Sequence, residues 1–471
     1  MKIEQIYTGC LAQGAYFIES EGQAAIIDPL RESAPYIQKA DKEGATIKYI
    51  FETHFHADFV SGHVDLSEKT GATIVYGPNA NPSFDFHQAT DGEIFTLGKV
   101  KIKVLHTPGH TMESTTYLLF DEEGKEHAIF SGDTLFIGDV GRPDLAQKGD
   151  ITEKDLAGYL YDSLREKIMP LPNDVIVYPA HGAGSACGKN MSKETSDTLG
   201  NQKQNNYALR ADMSKEEFIQ EVTDGLLPPP QYFAQNVAMN KSADTRSLED
   251  VMQKGTVPLD VETFEAMANH EGALVLDTRK PQQFAGEHIP NSIFIGIDGG
   301  FAPWVGALIT DLQQPIVFVA DAGREEEVVT RLSRVGYDNT LGYLEGGLEA
   351  WKAAGKETDT LESIPATAFA ERLKEKELTI LDVRKPGEYE AEHIDGAKTF
   401  PLDFINENMD RIDEDTEYHI HCAGGYRSVI AASILKSRGF HNVVDVQGGF
   451  KAISETDIPR TDFVCPTSSK V

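Results

Sequence analysis

Three metal-capable side chains fall within five residues of this chain, in His54-Phe55-His56-Ala57-Asp58, directly after the apolar run Tyr49-Ile50-Phe51. A run of that kind forms a buried strand, and polar groups at its end project into a cleft. Imidazole suits zinc, copper and iron, and a carboxylate hardens the ligand set. Three further residues follow the same rule. His110 lies in Thr107-Pro108-Gly109-His110, Asp133 in Ser131-Gly132-Asp133, and His181 in Pro179-Ala180-His181-Gly182; each comes after a strand-like run and among turn residues. Together they predict a layered α/β domain that gathers its chemistry at strand ends. His87, His106 and His127 lack that context and read as ordinary histidines.

The charge balance restricts the partners. With 75 acidic against 43 basic residues the formal net charge is -32, which disfavours nucleic acid and anionic membrane as partners. Four scattered cysteines, Cys10, Cys187, Cys422 and Cys465, form no CxxC pair. They argue against a disulfide scaffold and fit a reducing cytoplasm. The amino terminus has no apolar signal core and no run is long enough for a membrane helix. A soluble homo-oligomer is the expectation.

The organisation is tripartite. Residues 1–240 read as the metal domain with a helical tail, in which Ser214 to Glu221 is helical and Leu227-Pro228-Pro229-Pro230 stops it. The remainder repeats itself. Leu276-Asp277-Thr278-Arg279-Lys280-Pro281 matches Leu381-Asp382-Val383-Arg384-Lys385-Pro386, Glu287-His288-Ile289 matches Glu392-His393-Ile394, and Gly346-Gly347 matches Gly448-Gly449. The unit is domain-sized, so these are two copies of a small α/β domain, 256–358 and 363–460.

The series from His54 to His181 resembles the metallo-β-lactamase superfamily, whose fold is an αβ/βα sandwich with metal between two sheets. Binuclear members carry Asp-His where this chain has Asp58-Phe59, and phenylalanine cannot ligate, so one metal is expected. The resemblance to the persulfide dioxygenase branch implies Fe(II), one per chain, on His54, His110 and Asp133. That set is the two-histidine, one-carboxylate facial triad with open positions. His56, Asp58 and His181 would stand one layer back and orient ligands and water. Arg142 matches the arginine that meets the anionic end of a thiol cosubstrate, and its fixed donor fork suits a carboxylate. The branch that recognises glutathione has a tyrosine soon after the last histidine; this chain has Gly182-Ala183-Gly184-Ser185 instead. Cys187, close to His181, is a candidate for a redox or sulfur-relay role.

In the second copy, Cys422 is followed by Ala423, Gly424, Gly425, Tyr426 and Arg427 and then by a helix-forming run. Glycines let successive N–H groups point inward, and a helix N-terminus adds positive potential, so the loop suits a thiolate. This resembles the rhodanese active-site loop, with Cys422 at the nucleophile. The first copy has Asp321 in that place and is expected to be inactive. The whole architecture resembles the bacterial multidomain persulfide dioxygenase–sulfurtransferases. It implies oxidation of a low-molecular-weight thiol persulfide with O₂ to sulfite and thiol, with transfer of sulfane sulfur to sulfite giving thiosulfate, as in sulfide detoxification. Two alternatives stay open: a zinc-dependent thioester or lactone hydrolase with a rhodanese partner, and a sulfur carrier or sensor protein.

Overall fold

Short apolar runs become strands because each offers two faces to two different cores. In the computed structural model, which describes residues 1–145 and 150–464, the first sheet holds β1 (Lys2–Thr8), β2 (Gln13–Ser20), β3 (Gln23–Ile27), β4 (Thr46–Phe51), β5 (Thr73–Tyr76) and β6 (His87–Gln88), in that order. The second holds β7 (Ile94–Leu97), β8 (Val100–His106), β9 (Thr115–Phe120), β10 (Glu126–Gly132), β11 (Ile176–Pro179) and β12 (Asp197–Thr198). Each sheet begins antiparallel and turns parallel near the site, at β3–β4 and at β10–β11.

Neighbouring residues go to opposite faces. Ile27, Phe51, Val104, Leu119 and Phe130 pack between the sheets. Ile26 and Ile50 pack outward with Tyr36 and Ala40 of the helix Ala34–Glu43 and Leu66 of the helix His63–Thr70. Leu118 and Ile129 pack outward with Leu160 of the helix Glu153–Ser163. The result is a helix–sheet–sheet–helix sandwich, and the carboxyl ends of β4 and β10 meet at one edge of it. The tail is helical over Lys215–Thr223, capped by the Ser214 hydroxyl, and its Phe218 and Val222 join the core around Leu160. Among the described residues no helix is long and apolar enough to cross a membrane.

The chain separates into two compact units, the first built on Met1–Leu248 and the second on the chain from Glu249 onward. The second contains both repeats. Their sheets are wholly parallel and follow one order: β13 (Pro258–Leu259), β17 (Thr340–Leu344), β16 (Ile316–Val319), β14 (Leu274–Asp277) and β15 (Ile293–Phe294), then β18 (Glu362–Pro365), β22 (Val443–Gln447), β21 (Tyr418–His421), β19 (Thr379–Asp382) and β20 (Lys398–Thr399). The repeated sequence landmarks turn out to be scaffold. Arg279 forks onto Asp277 and donates to the Glu287 carbonyl at 2.9 Å, and Arg384 does the same with Asp382 and the Glu392 carbonyl at 2.7 Å. His288 and His393 each donate from Nδ1 to a carbonyl one helical turn back, at 2.8 Å. Cys465 lies outside the described residues.

Candidate metal centre and cysteine loop

His54 leaves the end of β4 and is buried with every residue from Phe51 to Gly62. His110 and Asp133 come from turns after β8 and β10 that tolerate only glycine. A Cβ on Gly109 (φ +149°) would meet Leu160 at 2.4 Å, and one on Gly132 (φ +53°) would meet Thr53 at 2.6 Å. The two turns bring three donor atoms to one point. Asp133 Oδ2 lies 3.4 Å from His110 Nε2 and 3.8 Å from His54 Nε2, and the three ligand atoms fall within 4.8 Å of one another.

Each donor is held from behind. The His54 Nδ1 side meets the Thr53 hydroxyl at 3.0 Å, which itself donates to Asp28 Oδ2 at 2.9 Å. His110 Nδ1 donates to the Arg142 carbonyl at 2.8 Å, which leaves Nε2 bare. Asp133 Oδ1 accepts from His181 Nδ1 at 2.8 Å, and His181 Nε2 faces Asp58 Oδ2 at 2.9 Å. Asp133 Oδ2 is buried and has no hydrogen-bond partner. A buried carboxylate oxygen left facing two imidazole nitrogens is costly unless a cation meets it. These residues therefore fit one divalent metal ion. Burial would raise the Asp133 pKa, but His181, His54 and His110 outweigh it and hold the carboxyl far below its usual range. Burial also pushes His54 well down, toward the neutral imidazole a metal needs.

The other candidates are engaged elsewhere. His56 Nε2 turns to Asp28 Oδ1 at 3.1 Å and Glu52 Oε2 at 3.5 Å. Burial works against its charge, yet the two carboxylates raise its pKa to about 10. Phe59 stacks on its ring at 4.3 Å. Asp58, His181 and Cys187 form a second buried cluster, and Asp28, Glu52 and His56 a third. Burial, then Asp58 and Asp133, push the Cys187 thiol well above its ordinary range, which disfavours a reactive thiolate. The Arg142 fork is occupied by Asp144, at 2.7 Å on both oxygens, and by the Ala186 and Leu227 carbonyls. In this structure Arg142 acts on the site through its carbonyl oxygen rather than its guanidinium.

The sequence reading missed Thr53, Asp28 and Glu52. A signal was present: Asp28 ends the β3 run as Asp133 ends that of β10. It adopts φ +50°, rare for a residue with a side chain, and such strain collects at functional sites.

Cys422 follows β21 and is 1% exposed. The Gly425 N–H (φ +90°) donates to its Sγ at 3.1 Å, and Ser428 Oγ of the helix Arg427–Ser437 lies 3.6 Å away. Gly449 lets the next segment close on the loop, because a Cβ there would meet the Cys422 carbonyl at 2.3 Å. Ala423 and Gly424 form the outer rim, and Arg427 is forked onto Glu388 at 2.6 and 2.9 Å.

Comparison with known proteins assigns families to the domains that carry these residues. The metallo-beta-lactamase superfamily model matches residues 8–181, and the rhodanese-like domain model matches 260–354 and 365–456. Human mitochondrial persulfide dioxygenase ETHE1 is 32% identical over 211 residues, which span 44% of this chain and 74% of that protein. The chain belongs to the metallo-beta-lactamase superfamily. A solved metallo-beta-lactamase from Staphylococcus aureus superposes with a TM-score of 0.63 at 31% identity, covering 73% of this chain and 98% of that one. A probable hydroxyacylglutathione hydrolase glo2 of Schizosaccharomyces pombe is 34% identical over 160 residues, 33% of this chain. The cytoplasmic hydroxyacylglutathione hydrolase of Arabidopsis thaliana is 33% identical over 165 residues, 35% of this chain. The chain spans only 58% and 60% of the length of these two relatives.

The first rhodanese-like domain differs from its sequence reading by one position. Val383 N–H donates to the His421 carbonyl, and Thr278 N–H donates to the Val319 carbonyl. The residue after Val319 is Ala320, and the carbonyl nearest Gly347 is again that of Ala320, as that of Cys422 is nearest Gly449. Ala320, not Asp321, thus occupies the cysteine position, and each loop then reaches its helix, at Glu325 and at Arg427, after the same number of residues. The absence of a thiol is unchanged. This domain also grips the Cys422 loop. The Tyr426 hydroxyl donates to the Gly296 carbonyl at 2.6 Å and its ring meets Phe294 edge-on at 6.0 Å. A Cβ on Gly299 would fall 2.3 Å from that ring.

Two outcomes follow from this geometry. Thr53→Val removes the hydroxyl that holds His54, and metal affinity should fall about 10–100-fold in a chelator competition. Gly299→Val should displace Tyr426 and slow sulfur transfer at Cys422 by roughly tenfold, measured as thiosulfate–cyanide transfer.

Proposed function

We propose that the metallo-beta-lactamase domain is a mononuclear non-heme iron dioxygenase that oxidises a low-molecular-weight thiol persulfide to sulfite and thiol, and that the second rhodanese-like domain carries sulfane sulfur on Cys422. The observation that supports this most is the divided ligand set. Two imidazole nitrogens and one carboxylate oxygen converge, while His56 faces Asp28 and Glu52 and Phe59 replaces a possible further ligand. Held by His54, His110 and Asp133, ferrous iron would supply O₂ activation. Thr53, the Arg142 carbonyl and His181 keep the three donors aimed. The buried run from Phe51 to Gly62 keeps bulk water from their back. The 32% identity to ETHE1, named a persulfide dioxygenase, supports the same reading.

At Cys422 the thiolate attacks the outer sulfur of a persulfide. A new S–S bond forms, the donor S–S bond breaks, and the electron pair leaves with the donor thiolate. The Gly425 N–H stabilises charge on sulfur. Passing that sulfur to sulfite gives thiosulfate, and tethering both domains in one chain raises the local concentration of the shared intermediate.

A second reading has its own support: the hydroxyacylglutathione hydrolase relatives favour a zinc thioester hydrolase. There the metal would lower the pKa of a water to about 7. Anaerobic loading with iron, followed by O₂ uptake with a persulfide and thioester cleavage in parallel, separates the two. We expect persulfide-dependent O₂ uptake that is lost with the iron in His110→Ala. Cys422→Ser should keep that uptake and yield sulfite in place of thiosulfate. Thioester cleavage without O₂ uptake would overturn the dioxygenase reading.

A further inference from the structure

Two copies of one domain occur in this chain, and only one keeps a cysteine after its central strand. The copy without it serves as an internal control for what the fold itself requires. Beneath Cys422 the active copy buries a carboxylate, Asp445 on β22, 0% exposed. Asp445 Oδ2 accepts from Ser363 of β18 at 2.6 Å. Its Oδ1 is buried without a hydrogen-bond partner, and the Ser428 side chain is close enough to the carboxylate to act on its charge. Ser428, also 0% exposed, stands 3.6 Å from Cys422 Sγ.

A buried carboxylate with an unfilled oxygen is costly, so its presence calls for a reason. The fold supplies none. The first copy builds the same parallel sheet with Thr340–Leu344 in place of β22 and Pro258–Leu259 in place of β18, and there Tyr343 stands at the position of Asp445 and Pro258 at that of Ser363. Its helix opens with Glu325, Glu326 and Glu327, where the active copy has Arg427 and Ser428. Thiol, hydroxyl and carboxylate are therefore present together in one copy and missing together from the other.

We propose that Ser428 and Asp445 form a buried proton relay to the Cys422 thiol, with Ser428 touching sulfur and Asp445 acting through Ser428. Cys422 S–H gives its proton to Ser428 Oγ as Ser428 passes its own proton to Asp445. The net change is thiol plus carboxylate to thiolate plus carboxylic acid. The thiolate then attacks the outer sulfur of a donor such as thiosulfate. The Cys422 S–S bond forms, the donor S–S bond breaks, and its electron pair leaves with sulfite. Burial holds the Asp445 carboxyl above its ordinary range against the Ser363 hydrogen bond and the polar Ser428 and Gln282 side chains beside it, which helps it take a proton. The groups facing Asp445 are those three uncharged side chains. Around the sulfur the charged or titratable groups are Arg427 paired with Glu388, buried Asp403, and His421 beside Asp382 and Arg384.

This inference rests on Cys422 as the sulfur-carrying nucleophile, and the test keeps the two apart. In the full chain, alkylation of Cys422 by iodoacetamide is followed by peptide mass across about pH 5 to about pH 10. Asp445→Asn and Ser428→Ala should each move the profile up by about one pH unit or more. They should also lower kcat for thiosulfate–cyanide transfer on the order of 10²-fold, with KM held within about twofold. The double variant should lose no more than either single one, as expected of residues that act as a unit. Ser428→Thr, which restores the hydroxyl, should recover the parent profile. Superimposed alkylation profiles in folded Asp445→Asn, with transfer still lost in Cys422→Ser, would overturn the relay and leave the nucleophile standing. Additive losses in the double variant would reduce Ser428 and Asp445 to separate packing roles and overturn it too. Transfer that survives Cys422→Ser would overturn both.

Discussion

The Asp133 carboxylate, with one oxygen tied to His181 and the other facing His54 and His110, is the interaction around which the first domain is arranged. A charge so deeply buried demands compensation on every side. Much of the surrounding structure supplies it. Gly132 takes a left-handed backbone so that the turn can approach Thr53, and Gly109 makes room beside Leu160. Asp58 meets the far side of His181, and Asp28 holds Thr53 behind His54. The two sheets contribute to one site because their carboxyl ends meet where each turns parallel.

The layer behind the donors decides which residues are left to bind metal. His56 has the residue type and the spacing of a ligand, but Asp28 and Glu52 hold it in charged form and Phe59 covers its ring. An imidazole must be neutral to ligate, and the two carboxylates beneath the site favour the charged form of His56. Arg142 shows the same division of labour. Its fork is filled by Asp144, and its carbonyl orients His110.

The paired rhodanese-like domains separate scaffold from chemistry. The Asp-x-Arg and Glu-His-Ile landmarks that reveal the repeat are internal braces, and both copies keep their hydrogen bonds. The groups that differ cluster around one sulfur. The copy without a thiol still bears on that sulfur, because its Gly296–Gly300 segment receives the Tyr426 ring of the reactive loop.

Sequence alone determined the layered α/β class, the repeat, and the residues from His54 to His181 and at Cys422. Those rest on local rules: period-two burial, turns at strand ends, and glycines where the backbone must curl. It could not tell which imidazoles would be neutral, that Arg142 would spend its fork on Asp144, or that Ala320 rather than Asp321 stands at the position of Cys422. Nor did it assign Asp28, Glu52 or Asp445 to a site. Charge state, hydrogen-bond occupancy and register belong to neighbours far apart in the chain, such as Asp28 with His56 and Ser363 with Asp445. Only the packed sheets bring those groups within reach of one another.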